Sequence, residues 1–320
     1  MGSRAFGIPR KRYHTTVPLH SEPAKKLRKT FEPKTNIDDV CKGYDATFVS
    51  NEHISSTGHH LGGSHPLKHP MKKIPEVTLL FWVMKICATT LGETAGDQLA
   101  QTMKVGYAVS SLVLVGFFLA TLAGQLVAKR YIPALYWAVI LATSTAGTTM
   151  SDYMDRTLGL GYATGAAILV VVLLAILGLW WMSEKSLSVT DVQSRRAELF
   201  YWAAILFSNT LGTALGDFLA DDSGLGFGGG ALLIGSLLAV VVLAYYFTSI
   251  SRVLLFWVAF VLTRPFGATF GDLLTKSPEK HGLGFGTQGS SLILLGLLVA
   301  LVVYDSVRKR PAAVRVDDLI

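Results

Sequence analysis

Cysteine is nearly absent from this 320-residue chain. Its two copies, Cys41 and Cys87, have no C-x-x-C neighbour and no metal-ligand spacing, which argues against a disulfide framework and a thiolate metal centre. Charge is scarce as well: 16% of residues are Asp, Glu, Lys or Arg, against 51% hydrophobic, and the mean hydropathy is +0.44. That is the balance of a membrane protein and not of a soluble domain. The sequence also lacks a Walker A loop and a nucleophile elbow, so ATP-driven transport by this chain alone and esterase chemistry find no support. A charged n-region followed by an apolar h-region and a small-residue cleavage site is missing too, so no secretory signal is expected.

The charge that is present sits unevenly. Residues 1–70 hold 11 of the 29 Lys and Arg and seven of the eight His, with no sustained apolar period between them. This composition predicts a disordered basic tail, solvated and not built to bind nucleic acid. Met71 stands immediately before "KKIPEVTLLFW", where organised sequence begins, so residues 1–70 read either as a native tail or as the product of a mis-assigned start. A short cytoplasmic tail is expected over 311–320.

From residue 75 onward the apolar runs are about 20 residues long, enough to cross a hydrocarbon core of about 30 Å as a helix. Eight are expected, near 76–100, 107–127, 132–152, 162–182, 199–219, 228–248, 253–274 and 287–305. Linker charge alternates. One set of linkers and flanks holds twelve bases, among them Lys72, Lys129, Arg195, Arg252 and Arg308. The other holds only Lys104, Arg156, Lys276 and Lys280. The positive-inside rule then puts both termini in the cytoplasm.

An internal repeat organises these runs. An aromatic-Trp pair recurs at Trp82, Trp137, Trp202 and Trp257, spaced by 55, 65 and 55 residues. Ten residues after each Trp comes a glycine (Gly92, Gly147, Gly212, Gly267), and fifteen after each comes an aspartate (Asp97, Asp152, Asp217, Asp272). The fold class this predicts is an all-α integral membrane protein of eight transmembrane helices. They form four tandem two-helix repeats, about 75–128, 130–183, 196–249 and 251–306, in two pseudo-equivalent halves offset by 120 residues.

Positions 3, 7, 11 and 15 after each Trp lie near one helix face and carry a polar line. The first copy reads Lys85, Thr89, Glu93, Asp97; the second Ile140, Ser144, Thr148, Asp152; the third Ile205, Asn209, Thr213, Asp217; the fourth Phe260, Arg264, Ala268, Asp272. Fifteen residues carry each Asp roughly 22 Å from its Trp, into the outer third of the bilayer. An intramembrane carboxylate costs about 2.5–3.5 kcal/mol at mid-bilayer, so four at one depth call for a reason. Two readings stay open: the aspartates cap the following Gly-rich turns or snorkel to the outer surface, as Asp155, Asp221 and Asp222 are expected to do, or they converge on an oxygen-rich cation vestibule. Five acids against Lys85 and Arg264 would leave three negative charges, with Lys85 paired to Glu93 or another acid. Small residues at i and i+4 (Gly92 and Gly96, Gly147 and Ser151, Gly212 and Gly216, Gly267 and Gly271) predict close helix packing. Arg264-Pro265 marks either an unwound ligand-bearing segment or a packing kink.

The stretch "KIPEVTLLFWVMKICATTLGETAGDQL" (73–99), with the later aromatic-Trp, Gly and Asp copies, resembles a bacterial family of uncharacterised membrane-anchored proteins built from four copies of a short repeat of unknown function. The resemblance covers about 71–310 and implies a multi-pass protein of the bacterial inner membrane, with no known activity. The function expected is a secondary transporter or permease for a small inorganic cation (Mg²⁺, Mn²⁺, Ca²⁺ or a proton). Asp97, Asp152, Asp217, Asp272, Glu93, Thr89 and Asn209 would be its binding or coupling groups, with Lys85 and Arg264 as charge partners. The bilayer is the expected partner, with a homo-oligomer open; no cofactor and no enzyme activity are expected. The alternatives are a structural or regulatory membrane protein and, remotely, an intramembrane aspartyl protease, whose G-x-G-D signature is replaced here by "TAGD", "TMSD", "ALGD" and "TFGD".

Overall fold

The computed structural model describes residues 73–189, 192 and 194–308. The basic tail with Cys41, the start at Met71 and the tail at 311–320 lie outside the described residues. Among the described residues eight α-helices follow one another: α1 Leu79–Asp97, α2 Tyr107–Val127, α3 Pro133–Asp152, α4 Tyr162–Glu184, α5 Arg195–Asp217, α6 Gly226–Phe247, α7 Arg252–Thr275 and α8 Gly286–Arg308. No strand occurs among the described residues.

Local chemistry sets the helix ends. Thr78 accepts a hydrogen bond from the Phe81 N–H to start α1, the Ser194 hydroxyl accepts from the Ala197 N–H to start α5, and Pro133 occupies the first turn of α3. α1, α3 and α5 each pass at their aspartate into a five-residue π turn: Gln98–Thr102, Tyr153–Thr157 and Phe218–Asp222. Gly106 and Gly161, with φ of +82° and +73°, then reverse the chain directly into α2 and α4, a conformation a Cβ would strain.

Among the described residues six helices are long and apolar enough to cross a membrane: α2, α4, α5 with its π turn, α6, α7 and α8. α1 and α3 have spanning length but are more polar, and the packing explains why. The four odd helices form a closed ring in which α1 touches α3, α3 touches α5, α5 touches α7 and α7 touches α1. Their aromatic N-termini lie at one end and their aspartates at the other, so the four run parallel. Protein and not lipid surrounds α1 and α3 on their polar faces, which removes the usual penalty on Thr, Ser and charged side chains.

The even helices pack outside this ring. α2 leans on α3, α4 on α5 and α6 on α7, while α8 returns to α1. The expected two-helix hairpin is therefore not the packing unit, because each outer helix leans on the inner helix that follows it and the last outer helix closes on the first inner one. The outer faces are mostly apolar, with Leu112, Val171, Leu232 and Ile293 exposed.

The ring is tight because the glycines let backbones meet. A Cβ at Gly147 would stand 2.9 Å from the Thr210 nitrogen and 3.0 Å from the Asn209 carbonyl carbon. Gly92 faces Ser144, Gly212 faces Arg264 and Pro265, and Gly267 faces Thr89 in the same way. Each first glycine thus faces position 7 of the next copy. Gly96, Gly216 and Gly271 repeat the pattern one turn on, against Thr148, Ala268 and Glu93. Helix α7 runs uninterrupted through Pro265, so the unwound segment is corrected to a packing feature whose ring lies on Gly212.

Candidate functional site

The ring interior is filled in layers from the aromatic end to the acidic end. In the first layer Phe81 packs on Trp137, Tyr136 on Trp202 and Phe256 on Trp82. Trp180 of α4 fills the remaining gap, between Tyr201 and Trp257. The Tyr136 and Tyr201 hydroxyls share a 2.6 Å hydrogen bond across the ring. This end is closed by side chains.

Lys85 occupies the next layer, fully buried, and its surroundings correct the expected pairing. Its ammonium donates to Asn209 Oδ1 at 3.3 Å and sits 4.0 Å above the Phe260 ring, with no carboxylate partner among the described residues. The Asn209 amide donates in turn to Thr143 at 2.9 Å, and the Thr89 hydroxyl bonds the backbone oxygens of Ile86 and Thr263. Thr89 and Asn209 are thus engaged in joining helices and stand apart from the acids.

Arg264 is the partner that Glu93 finds. Its Nη2 lies 3.0 Å from Glu93 Oε2, 2.5 Å from Thr148 Oγ1, 2.7 Å from Thr213 Oγ1 and 3.4 Å from the Ser144 carbonyl, and Nη1 donates to the Thr89 carbonyl at 3.3 Å. From α7 this one guanidinium reaches α1, α3 and α5, so all four inner helices meet on it.

The four aspartates form the last layer, buried, and divide into two pairs. Arg156 binds Asp152 and Asp217, each at 3.0 Å. Lys276 binds Asp97 at 2.7 Å and Asp272 at 3.2 Å, and Gln101 adds a 2.5 Å hydrogen bond to Asp97. Burial disfavours the Lys276 charge, but the Asp272 and Asp97 carboxylates outweigh it and hold the ammonium above the ordinary lysine range. One oxygen each from Glu93, Asp97 and Asp272 lie within 4.8 Å of one another. Such a set of buried carboxylate oxygens matches hard cations and not thiophilic metals.

Arg156, Lys276 and Gln101 are the residues that sequence reasoning missed, since both bases count there as outer-linker charge. A signal was available: each base stands four residues after its own Asp, one helical turn, in alternate copies. With both included, five acids face four bases, and the surplus is one negative charge instead of three. Of the turn acids, Asp221 and Asp222 reach the outer surface, one of the two roles expected of them, and Asp155 does not. No side chain caps α4 or α6; Asp155 is buried against Gly165 with a 3.3 Å hydrogen bond from Ser151, while Asp221 is exposed and accepts from the Tyr162 hydroxyl at 3.1 Å.

Comparison with known proteins adds the family and no activity. No curated protein and no solved structure matches the chain. The family described as a Repeat of Unknown Function (DUF347) matches four times in tandem, at residues 80–131, 135–186, 200–251 and 255–311, each match beginning within the aromatic end of one inner helix. With well over half its length covered by these four copies, the chain belongs to that family.

Proposed function

We propose that this protein is a secondary transporter or permease for a small inorganic cation, Mg²⁺, Mn²⁺, Ca²⁺ or a proton, and that Glu93, Asp97 and Asp272 form its binding group. The observation that carries this reading is the approach of their three buried oxygens to within 4.8 Å, in a protein whose outer faces are apolar. Like charges held that close out of water are costly unless a cation neutralises them. Arg264, on Glu93, and Lys276, on Asp97 and Asp272, supply two tethered charges, and a substrate ion would take the place of Lys276. Asp152 and Asp217 form a second, Arg156-bound pair in the same layer. The proposal includes eight spans in four two-helix repeats, placement in a bacterial inner membrane, and both termini in the cytoplasm, as the linker charges favour.

Reconstitution in liposomes tests it, with Mn²⁺, Mg²⁺ and Ca²⁺ each followed by an internal indicator dye and protons by a pH dye. Flux of at least one ion is expected, falling at least tenfold in Asp97→Asn and Asp272→Asn. Flux that persists unchanged in both variants overturns the proposal.

A second reading is a structural membrane protein without transport, favoured by Arg264, which ties all four inner helices through one side chain. Asp217→Asn separates the two: lowered thermal stability with ion flux intact supports the scaffold. An aspartyl protease gains nothing from the motif spacing, and we read the chain as a non-enzyme.

A further inference from the structure

The four copies differ at the acidic end, and the difference is local. The aromatic residue of the Gly-rich turn is buried in the third copy, where Phe227 is 8% exposed. In the fourth copy Phe285 is 64% exposed. Beside it an open cavity of about 630 Å³ is lined by Gln101, Thr102, Thr275, Lys276, Lys280 and the first residues of α8. Two of these wall residues, Gln101 and Lys276, are direct partners of the Asp97 carboxylate, and Lys276 also holds Asp272. On the same wall Thr275 is 9% exposed, and its hydroxyl has no hydrogen-bond partner. The cavity therefore opens directly onto the two side chains that hold the Asp97 and Asp272 carboxylates, a lining that suits an occupant with a positive charge. The cavity is large enough for a divalent ion with its hydration shell, since a water takes about 30 Å³ of liquid volume.

We propose that this cavity is the external access path to the Glu93, Asp97 and Asp272 group, and that Lys276 is its gate. The ammonium must leave Asp97 and Asp272 before a cation binds there, and it returns when the cation departs. Asp152 and Asp217 share Arg156 in the other half of the layer, where the guanidinium bridges two helices. The inference rests on the cation-transport reading and adds an address and an asymmetry to it.

Two measurements test it, the first independent of transport. In a Cys41→Ser background, Thr275→Cys and Ala220→Cys are each labelled from outside by a membrane-impermeant methanethiosulfonate. Ala220 is the equivalent position of the third copy, also 9% exposed but away from the cavity. Thr275→Cys should label at least tenfold faster than Ala220→Cys, and externally added Mn²⁺ should slow it at least threefold. Equal rates, or no effect of Mn²⁺, overturn the access path whether or not the protein transports. The second is flux: Lys276→Met should lower the KM for external Mn²⁺ at least tenfold, because the competing charge is gone. An unchanged KM overturns the gate. Absence of any wild-type ion flux would instead remove the transport reading, leaving the labelling ratio to decide the path.

Discussion

Replacing Arg264 by Met removes the charge while keeping a stem that can still lie on Gly212. Five hydrogen bonds disappear, to Thr89, Glu93, Ser144, Thr148 and Thr213, and the Glu93 carboxylate keeps only the Thr148 hydroxyl at 3.3 Å. Breaking a buried ion pair by removing one partner costs about 3–5 kcal/mol, since the other charge stays behind unpaired. For a domain of this size each kcal/mol shifts the melting temperature by about 2–4 °C, so Arg264→Met should melt roughly 6–20 °C below wild type in detergent. The double variant Arg264→Met with Glu93→Gln identifies the cause. If the stranded carboxylate dominates, the double variant should be more stable than Arg264→Met alone. Arg264→Lys should recover only part of the loss, because an ammonium cannot spread across three helices as a planar guanidinium does. A melting temperature within about 2 °C of wild type for Arg264→Met would refute the hub, and with it the account of how a ring of four helices tolerates buried charge.

Other perturbations follow from the same geometry. Gly147→Ala puts a methyl group 2.9 Å from backbone that cannot swing aside, so a loss of about 1–3 kcal/mol is expected by thermal melting, while Gly116→Ala, in open space, should be neutral or slightly stabilising. Trp180→Ala empties the aromatic layer between Tyr201 and Trp257 and should cost about 3–5 kcal/mol in the same assay. Lys276 gives a pH prediction. Its folded value lies above the ordinary 10.5, so its stabilising share is fully present below that pH and is lost only as pH rises through the folded value. The melting-temperature gap between wild type and Lys276→Met should therefore stay constant from about pH 7 to about pH 10; a gap that closes within that range would contradict the clamp.

Much of the architecture was legible because membrane helices announce themselves by length, and because the aromatic-Trp, Gly and Asp positions recur at fixed offsets. The glycines at offset 10 predicted close approach, and each meets a neighbouring ring helix. What spacing could not supply was the identity of that neighbour. A tandem repeat of helix pairs reads as four hairpins, but nothing in a hairpin's own sequence says that its second helix will lean on the first helix of the next copy. Lys85 misled for a related reason. Sharing a helix face with Glu93 made them natural partners, yet two turns, about 12 Å along the axis, separate them, and Arg264 reaches Glu93 across the ring instead. Thr89 and Asn209 looked like ligands by their place on the polar line, and in fact they serve the helix contacts opposite the glycines.

The ring has two symmetries at once, and their conflict locates the function proposed for it. Backbone packing follows four-fold repetition: offset 10 of every copy faces offset 7 of the next, around the full circle. The charges follow a two-fold pattern. Offset 19 reads Gln101, Arg156, Asp221 and Lys276, so only the second and fourth copies bring a base, and each base binds its own aspartate and that of the following copy. Four carboxylates at one depth repel, and two bases placed alternately are the smallest number that gives every carboxylate a partner. The remaining difference is between the two bases. Arginine stays charged and presents a rigid fork to its two carboxylates, whereas lysine is a point charge on a flexible stem. A fixed clamp and a movable one, built at equivalent places of two equivalent halves, divide the layer into a side that holds the helices together and a side that can open, and the open cavity lies on the lysine side. Exchanging the two bases, as Arg156→Lys with Lys276→Arg, should therefore slow external labelling of Thr275→Cys at least threefold while leaving the count of charges unchanged; labelling at the wild-type rate would show that the flexibility of the lysine stem plays no part.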